Sequence, residues 1–221
     1  MKAVRALSTS VGSKFLVALT GLSLVGFLIA HLAGNLLILL GPEQFNHYSH
    51  ALISNPLVIP AELGLVALLL VHIIKAVQHV VRGRIARPQP YTKQVWAGGP
   101  SRKSFASATM VVSGLILLVF LISHIATLKF GAYYAALEEP TVRDLYRLVV
   151  EVFQSPGVVV FYVVSMIVVG LHLRHGISSA FQSLGLMTPG WTSALLSSGL
   201  WLAIILAAGF ALIPVWVYFA L

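Results

Sequence analysis

Residues 14–40 read KFLVALTGLSLVGFLIAHLAGNLLILL, and this stretch decides the fold. Its one charged residue, Lys14, stands at its start. The apolar run behind it exceeds the roughly 20 residues that a helix needs to cross the ~30 Å hydrocarbon core of a bilayer. Four more runs of spanning length follow, at 57–81, 105–128, 157–181 and 192–219. The composition agrees: 58% of the 221 residues are hydrophobic and 9% charged, with mean hydropathy +0.95, whereas a soluble domain carries about 25% charged residues. The expected fold class is therefore all-α, a single transmembrane domain over residues 1–221 built as an integral membrane bundle of five transmembrane helices. Lys2, Arg5 and Lys14 resemble the charged region of a signal peptide. The run that follows is too long for one and no small-residue cleavage site succeeds it, so the first helix is expected to be retained.

The net charge of +8 does not point to nucleic acid. The basic residues flank apolar segments instead of forming a solvated face interleaved with aromatics, a pattern explained by orientation and anionic lipid. The N-terminus and the 82–103 connection, with Arg82, Arg84, Arg87, Lys93, Arg102 and Lys103, are expected in the cytoplasm. All six carboxylates, Glu43, Glu62, Glu138, Glu139, Asp144 and Glu151, fall in or beside the 41–62 and 129–156 connections, on the other side. Five spans then leave the C-terminus outside. The absence of cysteine excludes disulfides, thiolate-held iron–sulfur clusters and covalent c-type haem attachment within this chain.

Two connections are long. The basic 82–104 loop is broken by Pro88, Pro90, Gly98, Gly99 and Pro100, which predicts an irregular segment that serves either a cytoplasmic partner or topology alone. Between 129 and 156, Thr141 followed by Asp144 resembles a helix start. Leu145, Leu148, Val149, Val152 and Phe153 then alternate with Arg143, Arg147 and Glu151 at helical spacing, predicting a short amphipathic helix on the outer surface that ends by Pro156. No low-complexity segment or internal repeat is evident.

Four of the long runs each contain a histidine: His31, His72, His124 and His172. At 1.5 Å per residue, His31 lies roughly 25 Å and His124 roughly 30 Å from the inner boundary, while His72 and His172 lie roughly 15 and 14 Å from it. The depths match in two pairs, about 10 to 15 Å apart along the normal. Neutral imidazole is a good donor to haem iron, and two of them make a six-coordinate centre suited to electron transfer. Ionisable groups in the apolar layer are costly and functional by default. Ala30 and Gly34 near His31, Ala126 near His124, and Gly170 and Gly176 near His172 leave room for a flat macrocycle, or equally let helices pack closely. Interhelical hydrogen bonding and proton relay are the competing uses of such histidines.

His79 and His175 share helical faces with His72 and His172, so either is an alternative ligand to its neighbour. With the deeper pair as ligands, Lys75, His79, Arg82, Arg174 and His175 become candidates for haem propionate contacts near the inner interface. His47 and His50 follow Pro42 and read as solvated or interfacial.

Several motifs stand along the chain: Thr20-Gly21-Leu22, His31-Leu32-Ala33-Gly34-Asn35-Leu36, Gly41, Phe45-Asn46 and Tyr48; Asn55-Pro56 and Ala61-Glu62; Arg87-Pro88 and Tyr91; His172-Leu173-Arg174-His175-Gly176, Ser179-Ala180-Phe181-Gln182 and Leu184-Gly185. With the histidine spacing they resemble the two-haem cytochrome b membrane-anchor subunit of succinate:quinone oxidoreductases and the related fumarate reductases. The likeness covers nearly the whole chain and is least distinctive in the fifth helix. It implies two haem b groups as cofactors, with His31 and His124 ligating the iron of the outer haem and His72 and His172 that of the inner one. It also implies an iron–sulfur subunit and a flavoprotein subunit as cytoplasmic partners. Succinate and fumarate would interconvert in the flavoprotein, outside this chain, and electrons would pass through both haems to a quinone, expected to be menaquinone. A multi-pass protein of a bacterial or archaeal-type cytoplasmic membrane is implied as well. Reduction of menaquinone by succinate is uphill, and a site near the outer haem would let the membrane potential assist, by about 2.3 kcal/mol per charge per 100 mV.

For the quinone, Glu62 at the outer entrance of the second helix is the candidate proton relay, or else an interfacial charge. Asn46 and Tyr48 are candidate supporting donors, Tyr48 equally suiting an interfacial aromatic belt. At the inner end Ser13 and Lys14, with His79 and Arg82, are candidates to hold quinone or propionates. Two rivals use the same histidines differently: a cytochrome b subunit of a hydrogenase or formate dehydrogenase, and a haem-free proton-coupled transporter, which would often show interrupted helices in two repeated halves.

Overall fold

The computed structural model describes residues 9–86, 89, 105–136 and 139–221. Lys2, Arg5, Glu138, and the 82–104 loop from Arg87 onward except residue 89, including Lys93, Arg102 and Lys103, lie outside the described residues. Five helical segments are long and apolar enough to cross a membrane, and no β-strand occurs among the described residues.

The first span is α1, Ser10–Asn35, continued by a 3-10 turn, Leu36–Leu40. It begins one turn before Lys14, because the Thr9 hydroxyl accepts from the Gly12 N–H at 3.0 Å and caps the helix. The connection read as a loop contains a further helix, α2, Pro42–Ile53. Gly41 takes φ 101°, a left-handed conformation suited to glycine, and Pro42 then starts the helix with its φ preset. The second span, α3, Val58–Ile85, runs a turn past the apolar stretch to include Arg82 and Arg84, whose charges suit a helix C-terminus.

The third span is broken into α4, Phe105–Ala108, and α5, Met110–His124, followed by a π turn over Ile125–Lys129. Arg143 closes its end, donating to the carbonyls of Lys129 (3.1 Å), Gly131 (3.3 Å) and Ala132 (2.9 Å), which answers carbonyls left without partners at a helix terminus. The expected amphipathic helix is α6, Leu145–Phe153. Its cap is Asp144, which accepts from the Arg147 N–H at 3.0 Å, and not Thr141. The remaining spans are α7, Pro156–Ser183, and α8, Thr192–Ala220.

The α7 helix is the central element and packs on α1, α5 and α8. Its Val159, Tyr162, Met166, Val169, Leu173 and Ile177 are buried, spaced three or four apart so that one face meets the core. By contrast, α3 buries no residue fully and leans on α1. Its outward Leu63, Val66, Leu70 and Ile74 are exposed, as an apolar face in contact with lipid chains can be. The small-residue question now divides by position. A Cβ at Gly170 would stand 3.0 Å from the Ala207 Cβ, so this glycine serves close packing of α7 on α8. Nothing lies within 4 Å of a Cβ at Gly176.

Candidate functional site

The outer pair meets directly. The His31 and His124 rings are T-shaped with centroids 5.9 Å apart, although α1 and α5 share no extensive packed interface among the described residues. His31 lies between Phe27, stacked at 5.2 Å, and Phe210, at 5.6 Å. His124 stacks on Phe120 at 5.6 Å, and its Nδ1 lies 3.2 Å from the Tyr162 hydroxyl. Tyr162 is held in turn by Phe120 at 5.1 Å and by Phe153 of α6 at 4.8 Å. The amphipathic helix therefore reaches the outer histidines through Phe153 and Tyr162.

The inner pair is brought together less tightly. His72 on α3 lies within electrostatic reach of His172 on α7, and these helices too lack an extensive mutual interface. Two hydroxyls orient the rings. Thr20 Oγ1 is 3.2 Å from His72 Nδ1, and Ser113 Oγ is 3.0 Å from His172 Nδ1. Both hydroxyl residues are buried, Thr20 at 4% and Ser113 at 6% exposure. The glycines that follow them face the same rings: a Cβ at Gly21 would be 3.2 Å from His72 Cε1, and one at Gly114 3.8 Å from His172 Cε1.

The spacing of the outer two donors suits one metal between them. Two imidazoles sharing one metal at about 2.0–2.1 Å per bond have ring centroids about 6 Å apart, the spacing of His31 and His124. No cluster of three or more histidine or carboxylate ligands occurs among the described residues.

Of the expected propionate contacts, His79 and Arg82 line a cavity of about 220 Å³ with Ser10, Ser13, Gly83 and Ala86. Ser13 is 1% exposed and its Oγ has no hydrogen-bond partner. Lys14 lies within electrostatic range of His79, so this group assembles at the end where α1 starts. Lys75 is half-buried one turn beyond His72. His175 lies within electrostatic range of His172 and Arg174 is exposed.

At the opposite end Glu62 forms an ion pair with Lys129, which closes the π turn after His124. The Tyr48 ring rests on α1 at Gly34, where a Cβ would approach its hydroxyl to 2.7 Å. Asn46 is buried, and both ends of its amide are engaged: Nδ2 donates to Asp144 Oδ1 at 2.8 Å, and Oδ1 accepts from the Tyr146 N–H at 2.9 Å. It clasps α2 to the start of α6, which accounts for its burial without a quinone. His50 Nε2 contacts Ser54 Oγ at 3.3 Å, while His47 is exposed.

Thr20, Ser113, Tyr162 and Phe153 were not singled out as site residues by sequence. A signal for two of them was present: a hydroxyl residue followed by glycine precedes His31 and His124 by the same eleven residues. No family model, curated protein or solved structure matches the chain.

Proposed function

We propose that this chain is the membrane-anchor and electron-transfer subunit of a succinate:quinone oxidoreductase, holding two b haems between four transmembrane helices. The observation that carries the reading is the meeting of His31 and His124 at 5.9 Å across helices that stand apart. Packing alone gives no reason to converge two polar rings from different helices in the apolar layer, where such groups are expensive. A haem held by two imidazoles supplies reversible one-electron transfer at an iron with no open coordination position. His31 and His124 serve the outer group, and His72 and His172 the inner one.

The other residues bind and orient. Phe27, Phe120 and Phe210 surround the outer imidazoles with apolar surface. Ser13, His79 and Arg82 offer polar groups to a propionate or quinone oxygen at the inner end. In this reading that end faces the cytoplasm, where the iron–sulfur and flavoprotein subunits dock. Glu62, ion-paired to Lys129, moves a proton for a quinone, menaquinone by expectation, at the outer end.

The test is a dithionite-reduced minus oxidised spectrum of the chain purified from haem-sufficient cells, with a pyridine haemochrome assay. Two b haems per chain are expected. Folded protein without haem refutes the reading and revives proton relay. His31→Ala and His124→Ala should remove one spectroscopically distinct haem, and His72→Ala and His172→Ala the other. Loss of the same haem from His31→Ala and His72→Ala refutes the pairing. Co-purification with a succinate-oxidising flavoprotein separates this assignment from a hydrogenase or formate dehydrogenase cytochrome.

A further inference from the structure

The two inner histidines are served by one device used twice. Thr20 donates its hydroxyl proton to the Leu16 carbonyl one turn back, at 2.7 Å. Ser113 donates its own to the Met110 carbonyl at 3.0 Å. A hydroxyl has one proton and two lone pairs, so each oxygen is left as an acceptor toward the imidazole nitrogen beside it. His72 Nδ1 and His172 Nδ1 must then carry the hydrogen, and in a neutral ring Nε2 is left as the unprotonated donor atom.

The repetition extends further. Eleven residues separate Thr20 from His31, and eleven separate Ser113 from His124. Eleven residues are close to three full turns, so hydroxyl and histidine share a face and stand about 16 Å apart along the axis. Each of α1 and α5 thus carries an outer ligand and, one level inward, the hydroxyl that orients an inner ligand on its neighbour.

We propose that Thr20 and Ser113 are positioning residues for the inner metal site, setting the His72 and His172 tautomers and increasing the donor strength of their Nε2 atoms through the Nδ1–H bonds. The proposal rests on the dihaem reading. A stronger imidazole donor favours the oxidised iron, so removing its acceptor should raise that centre's midpoint potential and leave the other unchanged.

The experiment is a redox titration, with low-temperature spectra, of Thr20→Val, Ser113→Ala and their double variant in the haem-loaded protein. His72→Ala first identifies which signal belongs to the inner site. The expected result is an upward shift of the inner midpoint in Ser113→Ala and in Thr20→Val, and the largest in the double variant. Thr20→Ser and Ser113→Thr, which keep the hydroxyls, should restore the wild-type potential. Loss of the inner haem alone, with the outer one retained, also supports the assignment. Unchanged potentials and spectra in the double variant, equal shifts of both haems, or loss of both overturn it. Absence of haem from the wild-type protein would be a failure of the dihaem reading instead, and it is visible before any variant is made.

Discussion

Replacing Asn46 with alanine separates a structural clasp from a quinone contact. The change removes the Nδ2 bond to Asp144, 2.8 Å long and charge-assisted, and strips the Tyr146 N–H of its acceptor at 2.9 Å. A hydrogen bond to a charged group contributes about 1.5–3 kcal/mol, and a buried donor left unpaired costs about 1–3 kcal/mol. These terms overlap, because Asp144 keeps the Arg147 N–H, so a net loss of about 3 kcal/mol is the working figure. For a chain of this length, 1 kcal/mol corresponds to about 2–4 °C in Tm, which predicts a fall of about 6–12 °C for Asn46→Ala. The assay is a tryptophan-fluorescence melt in detergent, with quinone turnover measured well below the transition. Because α6 holds Tyr162 through Phe153, the dihaem proposal expects the outer haem signal to be lost before the inner one on heating. An unchanged melt combined with abolished quinone turnover would refute the clasp and return Asn46 to the quinone site.

The remaining predictions concern the same outer end. Glu62 and Lys129 are 49% and 45% exposed, so their ion pair contributes less than about 1 kcal/mol; Glu62→Gln should leave the melt in place and, under the proposed function, slow quinone turnover of the complex while its succinate oxidation by a soluble acceptor persists, and full quinone activity would remove Glu62 from that proposal. A Cβ at Gly131 would collide with the Thr127 carbonyl oxygen inside the π turn, so Gly131→Ala should cost about 2 kcal/mol or more through steric overlap with the backbone, read as a lowered melt, whereas Gly114→Ala meets only ordinary contact at 3.8 Å and should be tolerated. The Tyr134 hydroxyl, then Arg147, hold the Glu151 carboxyl below its ordinary range, and Glu151 in turn holds the Tyr134 phenol above its ordinary value. The carboxylate's contribution to stability is present above the unfolded carboxyl pKa and lost as pH falls through the depressed folded one. The phenol's is present below about pH 10 and lost as pH rises through its raised value. Thermal melts across pH should therefore show an acid limb that flattens in Glu151→Gln and an alkaline limb that flattens in Tyr134→Phe; limbs identical to wild type would dissociate this surface cluster from stability.

Much of the architecture was legible because a bilayer makes burial a matter of length and composition. The five spans, the amphipathic α6 and the division of the histidines into two levels follow from local apolar runs and a fixed rise per residue. Helix ends were less legible. Thr9 starts α1 early through a side-chain cap, and Asp144 starts α6 in place of Thr141, choices that turn on single hydrogen bonds. The α2 helix was not foreseen: Pro42 starts it and Gly41 supplies its left-handed entry.

The sequence by itself determined a membrane bundle and which histidines lie at which depth, since both are counted along one chain direction. It did not determine what each imidazole faces. Asn46 became a clasp because Asp144 and Tyr146, about a hundred positions away, come within hydrogen-bond distance of it. Thr20 and Ser113 became partners of His72 and His172 only when neighbouring helices aligned in register. Depth is a property of one helix, whereas a hydrogen bond between helices depends on rotation about both axes and on their spacing, and only tertiary packing sets those.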